Sequence, residues 1–233
     1  MNIHRGFAAT AQTTFLICLP LLLAVTCLAR ATHFVPPEIV SADNVSYPPN
    51  TLAAGAVSFV VHLDERARVE GLQVTRDFPP LTAAAQAAIQ TWSFNPATLD
   101  GKEVASSLSV NVIFNVFDPN GLKFFGLKLP PPAPATPEAE QFTPPQLLSA
   151  AFARYPVKVL EAGTVVLDVS LGSSGAVEGI RAVRGVPPLT AAAISATRTF
   201  AFSAAEFRGR PVASHIVVAF VFQYNNPVPS KTG

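Results

Sequence analysis

Few side chains in this chain could carry out chemistry, and their spacing does not assemble them into a catalytic or metal-binding motif. Both cysteines, Cys18 and Cys27, lie in the N-terminal apolar segment, and the histidines include no pair at metal-ligand spacing. The chain has no Gly-x-Ser-x-Gly motif for a nucleophile and no glycine-rich loop for a phosphate group. The sequence therefore predicts a protein that is not an enzyme and that uses no cofactor or metal.

An internal repeat makes it possible to test each candidate residue against a second copy. Residues 37–115 align with residues 145–223 without a gap, so each residue of the first copy has a counterpart 108 positions later. The longest identical stretch is 79–85 in the first copy and 187–193 in the second. Such a repeat indicates two copies of one structural unit.

Comparison of the copies removes most of the candidates for chemistry. His62 is matched by Ser170 and His215 by Ser107, so neither histidine belongs to both copies. A glutamate and an arginine at the two ends of one predicted strand do occur in both. These residues are Glu70 and Arg76 in the first copy and Glu178 and Arg184 in the second. They could bind a ligand, although a solvated strand face explains them more simply.

Residues 1–31 have the features of a secretory signal peptide. A basic start at His4 and Arg5 precedes an apolar run from Thr14 to Leu28 and a small-x-small sequence at 29–31. We expect cleavage of this segment, which would leave a mature chain without cysteine in the periplasm or cell envelope. The alternative is an uncleaved membrane anchor, although the run is shorter than the roughly 20 residues of a spanning helix.

The charge of the chain excludes some classes of partner. The formal net charge is +1 at pH 7, and no run of like charge stands out. A surface for nucleic acid or for an anionic membrane would need clustered lysine and arginine. We therefore expect no nucleic acid partner, and membrane contact only if the N-terminal segment is uncleaved.

The repeat and the distribution of proline divide the chain into segments. A proline-rich stretch around 130–137 favours an extended spacer between the copies. The predicted segments are the signal peptide or anchor at 1–31, a first module at 37–118, a linker at 119–144, a second module at 145–224 and a tail at 225–233.

Each copy is predicted to contain a β-hairpin, a helix and a final strand. In the first copy the pattern indicates strands at 56–63 and 68–76, a helix opened by Pro79 and Pro80, an irregular connection at 95–102 and a strand at 106–117. The second copy repeats these strands at 164–171, 176–183 and 214–224. The expected fold class is α+β, with two tandem two-layer modules of β-β-α-β order. Each module would pack one helix on a three-stranded antiparallel sheet.

These elements and their residues resemble the C-terminal domain of the TonB family of energy transducers. The resemblance lies in Tyr47-Pro48 before the first strand, Gly55-Ala56-Val57 at its start, Val69-Glu70 at the start of the second strand and Trp92-Ser93-Phe94-Asn95-Pro96 after the helix. A Gly101-Lys102 turn and a final apolar strand complete the pattern. Both copies show the same order, so the resemblance implies two tandem TonB C-terminal-like modules.

The resemblance implies a binding function in the periplasm. The family's domain pairs its last strand with an extended segment of an outer-membrane receptor, by strand addition to an open sheet edge. The edge residues would be Leu108, Ser109, Val110, Asn111, Val112, Ile113, Phe114, Asn115, Val116, Ile216, Val217, Val218, Ala219, Phe220, Val221 and Phe222. These residues could equally belong to ordinary final strands whose edges are covered by a loop or by the other copy.

Departures from the family pattern leave alternatives to this function open. Full-length transducers carry a histidine in their membrane anchor, whereas His4 precedes the apolar run of this chain. In the second copy Phe200 replaces the tryptophan and Ala204 replaces the following proline. If only one copy binds a partner, we therefore expect it to be the first. The alternatives are a structural module with self-sealed or homo-oligomeric sheet edges, and a transducer with an uncleaved anchor.

Overall fold

In the described part of the chain, β-branched and aromatic residues form sixteen strands, and two alanine-rich stretches form two helices. A computed structural model describes residues 33–49, 51, 53–116, 141–156 and 161–223. The first copy contains β1 (Phe34–Val35), β2 (Glu38–Ser41), β3 (Gly55–Leu63), β4 (Val69–Arg76), α1 (Leu81–Ile89), β5 (Ser93–Asn95), β6 (Ala97–Leu99), β7 (Lys102–Val104) and β8 (Ser106–Val116). The second contains β9 (Phe142–Thr143), β10 (Leu147–Ser149), β11 (Gly163–Leu171), β12 (Val177–Arg184), α2 (Leu189–Thr197), β13 (Ala201–Phe202), β14 (Ala205–Phe207), β15 (Arg210–Val212) and β16 (Ser214–Gln223).

The predicted hairpins, helices and final strands are present in both copies. The irregular connection expected at 95–102 is wrong, because this stretch contains β6 and the start of β7. These two short strands are joined by a turn in which Asp100 and Gly101 have φ values of 51° and 81°. Positive φ at both turn residues is typical of a tight β-hairpin. Strands of three residues are too short to show the alternation from which strands are predicted.

The two copies share one six-stranded sheet instead of forming two three-stranded sheets. Its strand order is β12-β11-β16-β8-β3-β4. The central strands β16 and β8 run parallel, in a register that extends from Ile216 opposite Ser109 to Gln223 opposite Val116. All other neighbours in this sheet are antiparallel. The α+β class is therefore confirmed, whereas the expected arrangement of two separate two-layer modules is not.

The helices pack on opposite faces of the shared sheet. Alternate side chains of β8 and β16 point to opposite faces, and the parallel register places Val110 beside Val217 and Val112 beside Ala219. These four residues belong to one hydrophobic core with α1, which we call the α1 core. The intervening residues of β16, beginning at Ile216, belong to the α2 core around the second helix. The central strands are thus buried on both faces. Strand β16 is apolar from Ile216 to Phe222, whereas β8 alternates apolar residues with buried polar residues such as Ser109 and Asn111.

The segment before the first long strand of each copy crosses the sheet and covers part of the other copy. We call residues 33–49 arm 1 and residues 141–156 arm 2. Ile39 and Val45 of arm 1 are buried in the α1 core, which also contains Val217 of the second copy. Arm 2 contributes to the α2 core beside Ala56 and Ile113 of the first copy. Each face of the sheet is therefore covered by the helix and arm of one copy.

A third hydrophobic cluster joins the two arms. The ring centroid of Phe34 lies 4.8 Å from that of Phe142 and 4.5 Å from that of Phe207. Phe34 and Phe142 occupy equivalent positions of the repeat, so the copies contact each other through the same residue. The structural repeat therefore begins before the predicted module starts at 37 and 145. Strand β9 falls within the predicted linker of 119–144, most of which lies outside the described residues.

The other predicted segments lie outside the described part of the chain. These are the signal peptide or anchor at 1–31 and the tail at 225–233. Neither described helix is long and apolar enough to span a membrane.

Because each core contains residues of both copies, we expect the copies to unfold together. Val217 lies in the second copy but is fully buried in the α1 core. The substitution Val217→Ala should lower the free energy of unfolding by about 2 kcal/mol, the scale expected for a small cavity in a packed core. Denaturant unfolding should still show one transition for the whole protein.

The control is Val35→Ala, which truncates an exposed valine and should change stability by less than about 1 kcal/mol. Two separate transitions, with only one moved by Val217→Ala, would show that the copies are independent.

Candidate partner-binding strands and the interface between copies

The structure places all sixteen residues predicted to form partner-binding edges in the middle of the shared sheet. The first group, Leu108 to Val116, lies in β8 between β3 and β16. The second group, Ile216 to Phe222, lies in β16 between β8 and β11. Both sides of each strand are therefore already hydrogen-bonded to a neighbour. The expectation that these strands are open edges is wrong for this conformation, while their part in binding stays a prediction.

The physical reason for the central position is the burial of both strands on both faces. Nearly all of their described side chains are buried, including those of Phe114 and Phe220. An exposed edge would leave one row of apolar residues and a row of backbone groups in contact with water. Mutual pairing removes both from solvent. Among the described residues, the outer strands of the sheet are instead β4 and β12, each of which pairs with one strand.

Buried polar side chains fix the register on the first-copy side. The hydroxyl of Ser58 donates to Oδ1 of Asn111 at 2.7 Å, and the guanidinium of Arg76 donates to Ser58 Oγ at 2.6 Å. Asn111 also lies 3.4 Å from the carbonyl oxygen of Val217, and Arg76 lies 3.4 Å from that of Leu147 in arm 2. Burial lowers the pKa of Arg76. This shared arginine is therefore buried and contacts the other copy, contrary to the solvated strand face expected for it.

In each arm, one backbone position is bound on both its amide nitrogen and its carbonyl oxygen by a side chain of the other copy. On one face, Thr164 binds both the amide nitrogen and the carbonyl oxygen of Val45, at 2.9 and 3.2 Å. On the other face, Asn115 binds the carbonyl oxygen and the amide nitrogen of Ala153, at 2.7 and 3.1 Å. Val45 and Ala153 are equivalent positions of the repeat, but the side chains that bind them are not. Two different side chains thus bind equivalent backbone positions of the two arms. Comparison of the two copies in sequence therefore does not reveal these contacts.

A charged cluster that includes a buried carboxylate lies on the second-copy side of the sheet. The Asp168 carboxylate is 2% exposed and lies 2.9 Å from the Arg181 guanidinium and 3.0 Å from Nδ1 of His215. Arg181 also forms an ion pair with Glu38 and donates to the carbonyl oxygen of Ile39 at 3.1 Å. A buried carboxylate requires such partners, because an isolated charge is costly to remove from water.

Sequence comparison missed this cluster because its counterparts in the first copy are uncharged. Asp168, Arg181, His215 and Glu38 correspond to Val60, Gln73, Ser107 and Gln146. The available signal was Asp168 itself, an acid among mostly apolar residues in a predicted strand. Its neighbours in space come from three other elements, and sequence spacing does not show that they meet.

The comparison with protein families identifies the fold of both copies. The family model of the Gram-negative bacterial TonB protein C-terminal domain matches residues 44–116 and again 154–224. The chain belongs to the TonB C-terminal family. Neither the curated proteins nor the solved structures include a match to this chain. Membership confirms two tandem TonB C-terminal modules and makes this a TonB-type protein of the cell envelope, a class that generally serves transport and is not enzymatic.

The structure gives physical roles to the residues that carry the TonB resemblance. The hydroxyl of Tyr47 donates to the carbonyl oxygen of Ala53, and its ring meets Phe114 of β8 edge-on at 5.3 Å. Burial raises the pKa of Tyr47 to about 12. The Tyr-Pro motif therefore anchors the end of arm 1 on the central strand. Trp92 and Phe94, which follow the helix in the family motif, are buried in the α1 core.

The histidines do not form a metal site in the described part of the chain. Nδ1 of His62 lies 3.2 Å from Ser107 Oγ, while His215 is bound to Asp168. Within the described ranges, no group of three or more His, Cys, Asp or Glu side chains could hold a metal ion. His215 thus serves as a partner of a buried carboxylate.

The Asp168 contact raises the pKa of His215 above its ordinary value of 6.5, with a further contribution from the charge of Glu38, against burial and the charge of Arg181. A raised folded-state pKa adds stability that is fully present below pH 6.5 and is lost as the pH rises through the folded-state pKa. We expect Asp168→Asn to lower the pKa of His215, as followed by NMR titration. The stability gained by protonation should shrink with it.

The control for this titration is Glu65→Gln, which removes one negative charge from an exposed residue of the β3–β4 turn. It should leave the pKa of His215 where it is. An unchanged pKa in the Asp168→Asn protein would show that the 3.0 Å contact does not govern this titration.

Proposed function

We propose that the protein is an exported TonB-type binding protein of the cell envelope. It engages an extended segment of an outer-membrane or other envelope partner by strand addition, in TonB-dependent transport. The observation that carries this proposal is the fusion of two TonB C-terminal modules into one sheet whose outer strands, β4 and β12, each have one neighbour. An added strand would form backbone hydrogen bonds along such an edge, and alternate side chains would provide selectivity.

Two routes lead from this sheet to strand addition. In the first, the partner pairs with β4 or β12 and the closed sheet stays intact. In the second, it pairs with the sixteen predicted residues of β8 and β16, which requires the copies to separate. Separation would break the central parallel pairing and expose both hydrophobic cores to water. The first route needs no such rearrangement, so the geometry favours it.

The proposed location is the periplasm, which follows from the predicted signal peptide. A TonB-type protein without a retained anchor would bind its partner without coupling to the inner membrane. If the N-terminal segment is retained, the same modules would belong to a membrane-anchored transducer. Determination of the N-terminus of the mature protein by mass spectrometry separates these two forms.

The second candidate function is a structural module that seals its own sheet edges. The pairing of β8 with β16 is consistent with such sealing. The family comparison gives no indication of a scaffold role. A scaffold would show no saturable binding of an extended peptide at any strand, and this is what separates the two candidates.

A disulfide across the central pair tests the proposed function and its route together. Val110 and Val217 are aligned neighbours on β8 and β16, at a strand spacing of about 4.8 Å that a disulfide can bridge. The protein would carry Val110→Cys and Val217→Cys, with Cys18 and Cys27 replaced by serine. The probe is a peptide from the N-terminal segment of a TonB-dependent outer-membrane receptor, titrated into the labelled protein and followed by amide chemical shifts.

We expect the oxidised protein to bind this peptide as well as the reduced protein, with shifts confined to the outer strands. Binding that disappears on oxidation and returns on reduction would instead assign it to the sixteen central residues. The proposed function would be contradicted if the peptide caused no saturable shift in any of three proteins: the oxidised protein, the reduced protein and the protein without engineered cysteines.

A further inference from the structure

The two outer strands differ in how well they are protected against pairing. Both are interrupted by a register shift near each end, so the regular pairing of β4 is limited to Gly71–Val74 and that of β12 to Gly179–Ala182. Bulges of this kind shorten an edge and limit unwanted association. Each edge therefore offers a stretch that suits a segment of about four residues.

Strand β12 is protected against pairing with a further strand by a charged residue and by arm 1. Arg181 lies in the middle of its regular stretch and is bound to Asp168, to Glu38 and to the carbonyl oxygen of Ile39. Strand β2 of arm 1 contacts β12 at the same place. A strand that added to β12 would have to remove water from the half-exposed arginine and its acidic partners. A charge in an edge strand is an established protection against pairing.

Strand β4 lacks this protection at the equivalent position. Gln73 stands where β12 has Arg181, and the regular stretch Gly71–Val74 contains no charged residue. Leu72 and Val74 are half-buried and pack against the α1 core. The arginine that reaches arm 2, Arg76, lies beyond the register shift at the end of the strand. The regular part of this edge is therefore uncharged and apolar on one face.

Two large apolar side chains lie next to the end of this edge. Phe78 and Leu148 are 39% and 48% exposed. Each lies within two residues of the contact between Arg76 and the carbonyl oxygen of Leu147. Exposed apolar residues beside an uncharged edge strand favour a partner that is itself apolar.

We infer that the binding edge of this protein is Gly71–Val74 of β4, and that its partner is an uncharged extended segment with apolar residues at alternate positions. The apolar residues of this segment lie beside Leu72 and Val74, on the face of the sheet that carries α1. Its small or polar residues lie beside Gly71 and Gln73 on the other face. This inference rests on the proposed function and narrows it to one edge of the first copy.

The test introduces into β4 the charge that protects β12 against strand pairing. Gln73→Arg places an arginine in β4 at the position that corresponds to Arg181 of β12. The matched control is Gln90→Arg, the same change at an exposed position after α1. The probes are the receptor peptide described above and a blocked peptide of alternating valine and serine. Both are titrated into the full-length labelled protein.

For the natural protein we expect saturable amide shifts along 69–76 with both peptides. Gln73→Arg should weaken binding by at least about tenfold, whereas Gln90→Arg should leave it unchanged. Thermal unfolding of both variants establishes that the fold is intact. If Gln73→Arg proves unstable, Gln73→Glu places the opposite charge at the same position and should weaken binding equally.

Three outcomes would overturn the inference. Shifts confined to 177–184 would assign binding to the edge of β12, and shifts along 108–116 or 216–222 would assign it to the central strands. In both cases the proposed function would stand. Self-association through β4 without peptide, detected by sedimentation, would identify a second copy of this chain as the occupant. Absence of binding by the receptor peptide anywhere on the protein would contradict the proposed function itself.

Discussion

The parallel pairing of β8 with β16 is the interaction on which the rest of this structure depends. It joins two three-stranded halves into one sheet and sets the two copies in the same strand direction. Because alternate residues of these strands face opposite sides, each strand supplies side chains to both hydrophobic cores. Loss of this pairing would therefore expose backbone groups and both cores together, which is why the protein is better described as one unit than as two modules on a spacer.

The arms show how a repeat becomes a single folded unit without strict symmetry. Equivalent backbone positions, Val45 and Ala153, are bound by a threonine in one place and an asparagine in the other. The charged cluster around Asp168 exists on one side only, where Arg181 binds the carbonyl oxygen of Ile39 in arm 1. Buried polar groups must find partners, but the protein needs only one satisfactory solution at each place. The copies have thus become unequal while they keep the same backbone.

The sealed centre changes how strand addition can operate in a TonB-type protein of this kind. With both final strands paired internally, the edges that remain are those of the second strand in each copy. One of these edges carries a bound arginine, and the other is uncharged at the equivalent position. Duplication of a module can therefore close one pair of sheet edges and leave another pair open, and small sequence differences between the copies then distinguish the two outer edges.

The sequence by itself determined the hairpins, the helices and the final strands, because these features follow from local periodicity and turn chemistry. The repeat followed from alignment of the two copies, and the family from the resemblance of their motifs to the TonB C-terminal domain. The sequence did not determine that β8 and β16 pair with each other, because burial on both faces does not specify which strand lies beside a given strand. The short strands β6 and β7 were missed because three residues show no period. The cluster of Asp168, Arg181, His215 and Glu38 was decided by tertiary structure alone, since its members come from four elements that only the folded sheet brings together.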